Sequence, residues 1–109
     1  MAFTTLPASF DAVGLARDLI GAGLAACVTR VPDVESIYMW NGAIETSREQ
    51  QLFIKTTQAK LDPLWARLKA QHPYDVPEFV VLPVVGGNEE YLSWIRGVAG
   101  SAEGAGPGA

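Results

Sequence analysis

Four side chains have the chemistry to hold a metal ion or to drive a reaction: Cys27, His72, Asp75 and Glu78. A thiolate and an imidazole suit soft and borderline metals, and carboxylates supply hard oxygen donors. Cys27 and His72 are the only cysteine and the only histidine. Brought together, they would make a nucleophile and its base, but nothing local joins them. Cys27 lies in the small apolar run Leu24-Ala25-Ala26-Cys27-Val28, which reads equally as a packed, inert thiol. His72 sits between a helix end and Pro73, where its ring could instead bond the last helix carbonyls. Asp75 and Glu78 flank the same connector, and their other reading is solvation and turn formation. One imidazole and one thiol are too few for a structural zinc within one chain, so a metal needs carboxylates or a second subunit.

Tyr38, Met39 and Trp40 form a second group of large side chains. They could line a ligand pocket or anchor self-association, since aromatic residues are enriched in interfaces. Lys55 and Lys60 could bind an anion or remain solvated. There is no glycine-rich phosphate loop, no HExxH and no GxSxG, so none of these enzyme motifs directs a reaction here.

The elements that must position these residues can be read from pattern. Residues 1–5 read as a first strand closed by Leu6-Pro7. Ser9 is placed to cap a helix running to about Ala22, with Ala12, Leu15, Ala16, Leu19 and Ile20 on one side. Gly21 and Gly23 suit its left-handed end. A second strand starts at Leu24, is interrupted at Pro32-Asp33, where a bulge or an edge is required, and resumes at 34–40. Asn41-Gly42 is a type I′ hairpin signal. Pairing around it sets Trp40 opposite Ala43, Met39 opposite Ile44 and Ile37 opposite Thr46.

The returning strand, 43–57, would span roughly 50 Å at ~3.3 Å per residue. A domain of this size is about 35 Å across, so the strand bends, within 46–51, or overhangs. An overhanging hairpin exposes edges that a neighbouring copy would cover. Leu61, Leu64, Trp65 and Leu68 mark a helix within 57–71, with Asp62-Pro63 as its start signal. A stiff connector, 72–77, leads to a strand at 78–85 that contains Pro83. Gly86-Gly87 turns the chain, and Asn88 caps a last helix from Glu89 to about Val98. The order βαββαβ with a C-terminal helix predicts an α+β ferredoxin-like sandwich over residues 1–98. Residues 99–109 read as a flexible Gly/Ala-rich tail.

Bulk properties narrow the function. The chain has 109 residues, a net charge of −4, 49 % apolar and 18 % charged residues, which suits one packed domain. Without a basic cluster, nucleic acid is not an expected partner. No apolar run approaches the ~20 residues that cross a bilayer, and no basic segment precedes an apolar core at the N-terminus. With a single cysteine, the expectation is a cytoplasmic protein.

The segments Leu24-Ala25-Ala26-Cys27-Val28, Ser36-Ile37-Tyr38-Met39-Trp40-Asn41-Gly42, Lys55-Thr56-Thr57, His72-Pro73-Tyr74-Asp75-Val76-Pro77-Glu78, Leu82-Pro83-Val84 and Tyr91-Leu92-Ser93-Trp94-Ile95 closely resemble the CutA divalent-cation-tolerance proteins. The resemblance covers about Phe3 to Arg96. It implies a ferredoxin-like fold, a homotrimer assembled through the long hairpins, and an architecture similar to PII signalling proteins. It also implies a role in the response to metal ions, with copper or another divalent cation as ligand and no established reaction. Copper contacts in some members use a first-strand cysteine and histidines at the His-Pro motif. Here Thr4 and Gln71 stand at two of those positions, and His72 remains. Cys27 matches a second-strand cysteine of the family. The expected site is thus His72 with Cys27, Asp75 and Glu78. The alternative expectation is a PII-like module taking a small anionic metabolite in an inter-subunit cleft.

Overall fold

A computed structural model describes residues 1–100. Residues 101–109, the greater part of the expected tail, lie outside it. The chain runs β1 (Ala2–Pro7), α1 (Ala12–Gly21), β2 (Cys27–Trp40), β3 (Ala43–Lys55), a 3₁₀ turn (Gln58–Lys60), α2 (Leu61–Gln71), β4 (Val80–Val81) and α3 (Glu89–Ala99). The four strands form one sheet in the order β2-β3-β1-β4, and every neighbouring pair is antiparallel. This is the expected ferredoxin-like sandwich.

Strand alternation sorts the sheet into two faces. Ala2 and Leu6 of β1 and Leu52 and Ile54 of β3 pack with Ala12, Leu15 and Leu19 of α1 and Leu64 and Leu68 of α2 in the main core. On the opposite face Phe3 and Phe53, directly paired, meet edge to face at 4.9 Å. Outside the core, Arg67 forks onto the Asp18 carboxylate at 2.7 and 2.8 Å and Gln71 adds a third bond, tying α2 to α1. These bonds, Arg67 first, hold the Asp18 carboxyl well below the usual carboxylate range.

The hairpin turns where expected. Asn41 (φ 49°) and Gly42 (φ 79°) both occupy the left-handed region, and the pairs Trp40–Ala43, Met39–Ile44 and Ile37–Thr46 form as predicted. The Pro32-Asp33 interruption is a bulge on an edge strand: pairing jumps from Val31–Gln51 to Val34–Glu49, so two residues face the single Gln50. The Gln50 side chain is buried there and bonds the Pro7 and Phe10 carbonyls, while accepting from Arg30. β1 pairs with β3 only from Glu49 onward. The rest of the hairpin therefore projects as a two-stranded ribbon, and the molecule measures 49 Å along its longest axis.

Several local expectations are corrected. Asp11, not Ser9, caps α1, accepting from Gly14 N at 2.9 Å. A Cβ at Gly14 would stand 2.3 Å from Asp11 Oδ2, so a larger residue there would make the capping carboxylate shift. β2 begins at Cys27 rather than Leu24: the chain is still closing α1, with Leu24 N bonded to Leu19 O, while Ala26 packs on Ile95 and Ala99 of α3. α2 starts at Leu61, after the 3₁₀ turn, and Pro63 is its third residue, where an amide would lack an intrahelical acceptor anyway. β4 shrinks to Val80–Val81, beyond which Leu82 exchanges two hydrogen bonds with Met1, where β1 offers no further partner. α3 is capped by Asn88 as expected, and extends to Ala99, one residue into the expected tail.

Candidate functional site

His72 follows the last residue of α2 and is buried, with 9 % of its surface exposed. Its backbone N–H bonds the Lys69 carbonyl of α2 at 3.4 Å, but its ring bonds none of the helix carbonyls. Its Nε2 lies 2.8 Å from the Thr5 carbonyl and 3.3 Å from Thr4 Oγ1, and its Nδ1 accepts from Tyr74 N at 3.2 Å. The hydrogen-bond network assigns the proton to Nε2, which can only donate to a carbonyl. The Thr4 hydroxyl donates to the Glu78 carbonyl at 2.7 Å, so its oxygen faces the imidazole as an acceptor. Burial pushes the His72 pKa down, against smaller upward pulls from the Thr5 carbonyl and the Glu49 charge. A neutral ring with both nitrogens engaged pins the connector to β1. A metal at Nδ1 would have to displace the Tyr74 amide.

The connector that His72 anchors forms one wall of an open cavity of about 830 Å³, and the hairpin ribbon forms the other. Pro73, Tyr74, Asp75, Val76 and Glu78 come from the connector; Ser36, Ile37, Tyr38, Trp40, Glu45, Ser47 and Glu49 come from β2 and β3. Of the four expected ligands, the fold brings Asp75 and Glu78 to this cavity, sets His72 behind its wall, and takes Cys27 elsewhere. Cys27 pairs with Lys55, three residues beyond the Leu52 that faces Thr4, and its Sγ lies 3.9 Å from Lys55 Nζ. No group of three or more His, Cys, Asp or Glu side chains is placed to hold a metal among the described residues.

Two residues that sequence reasoning passed over complete the site. Glu49 is 7 % exposed and accepts a bond from the Tyr74 hydroxyl at 2.7 Å. Burial, then the Glu49 carboxylate, pushes the Tyr74 pKa far up, and the Tyr38 hydroxyl adds to the effect. Tyr38 in turn shares a 2.6 Å hydrogen bond with Ser47. Glu49 pairs with Val34, next to the Gln50 that faces the bulge. Among the described residues, Glu45, Glu49, Asp75 and Glu78 give the cavity four carboxylates, and no Lys or Arg lines it.

A four-stranded antiparallel sheet carrying a cleft beside an over-long hairpin places the molecule among the PII-like ferredoxin-fold proteins. The model of the CutA1 divalent ion tolerance protein family matches residues 1–98, and the chain belongs to that family. Protein CutA 1, chloroplastic, of Oryza sativa subsp. japonica is 45 % identical over 94 residues, covering 86 % of this chain and 53 % of its own. The chain thus spans about half the length of that relative and of its Arabidopsis thaliana counterpart, at 53 % and 52 %. Among solved structures, the divalent cation tolerance protein (Cut A1) from Thermus thermophilus superposes with a TM-score of 0.86 at 43 % identity, covering 91 % of this chain and 96 % of that one. The PII-like protein CutA from Nostoc sp. PCC 7120 gives 0.82 at 33 % identity, covering 90 % and 94 %.

Proposed function

We propose that this chain is a non-enzymatic homotrimer that serves divalent-cation tolerance by taking a cation weakly in the cleft between hairpin and connector. The observation that carries the ligand reading is the lining: four carboxylates and no Lys or Arg among the described residues. Such a cavity concentrates cations and repels anions. For a divalent ion such as copper, Asp75 and Glu78 are the donors within reach, and a neighbouring subunit has to complete the ligand set. His72 contributes by holding the connector, and joins the ligands only when Nδ1 gives up the Tyr74 amide.

The trimer is supported by the ribbon. β2 is an edge strand of 14 residues, and Ile37, Met39, Trp40 and Ile44 are exposed around its tip. Long apolar edges invite pairing and are normally covered. A second reading, a PII-like module for a small anionic metabolite, draws on the PII-like relative but meets the wrong charge in this cleft.

Copper titration of the wild type, His72→Ala and the Asp75→Asn/Glu78→Gln pair tests the site. Loss of binding in the carboxylate pair supports it; undiminished binding there overturns it, and equal affinity in His72→Ala removes His72 from the ligands. Light scattering at micromolar concentration tests assembly, and a monomer mass overturns it. A thermal-shift screen of anionic metabolites that raises the melting temperature would favour the second reading.

A further inference from the structure

We draw no further inference here: the strongest candidate, the small cavity at the start of α3 lined by Lys55, which stands beside Cys27, rests on a helix N-terminus and a lone cysteine, and nothing in the structure points to a ligand there.

Discussion

The Thr4 hydroxyl donates to the Glu78 carbonyl at 2.7 Å across 74 residues of sequence, and this bond closes the connector onto the first strand. Thr4 is completely buried. Thr4→Val keeps the shape and removes the donor, leaving that carbonyl unpaired. A loss of about 1–3 kcal/mol is expected, read as a lower urea midpoint with an unchanged m-value. Thr4→Ser should recover most of it.

His72 makes stability depend on pH. Its pKa is lowered in the folded state, chiefly by burial, so the neutral ring is favoured by folding. That contribution is complete above the unfolded value near 6.5 and is lost as pH falls through the folded pKa. Denaturation at pH 7.5 and at pH 5 should show the wild type weakening on acidification, and His72→Gln should flatten that part of the slope. An equal slope in both proteins would show that another group governs it.

The turn at Asn41-Gly42 carries its own test. Both residues sit at positive φ, which an added Cβ disfavours by about 1–2 kcal/mol. Gly42→Ala should destabilise the hairpin by that amount, and Asn41→Gly should be near neutral. Chemical denaturation of the pair checks the difference.

Assembly should depend on the ribbon and not on the core beneath it. Ile44 is 73 % exposed in the single chain and contributes nothing to the main core. Ile44→Lys should lower the mass seen by light scattering while leaving the circular dichroism of each subunit intact. An unchanged mass would place the contacts elsewhere.

Much of the fold was legible because the signals were local. Asn41-Gly42 dictates a turn through its own dihedrals, and that turn fixes every pair up to the bulge. Pro32 forces the bulge because it has no N–H to give. Helix starts were less legible: Ser9 and Asp11 are both competent caps, and which one meets the free amide of the first turn is set by where the chain leaves β1. The strand at 78–85 read as long because Val and Leu favour extended chain, but a ladder needs a partner, and the segment finds one only at Met1, Ala2 and Phe3.

By itself the sequence determined the order of elements, the register of the hairpin and its excess length over its own domain. Periodicity tells which face a residue takes, and turn chemistry tells where the chain reverses. Neither tells which distant residue will be met. The tertiary structure alone decided that His72 would be pinned between Thr5 and Tyr74, that Cys27 would leave its expected partners, and that Tyr74 would find Glu49. The cleft depends on those contacts, because its two walls are 25 or more residues apart in sequence at that bond and meet only when the sheet is closed.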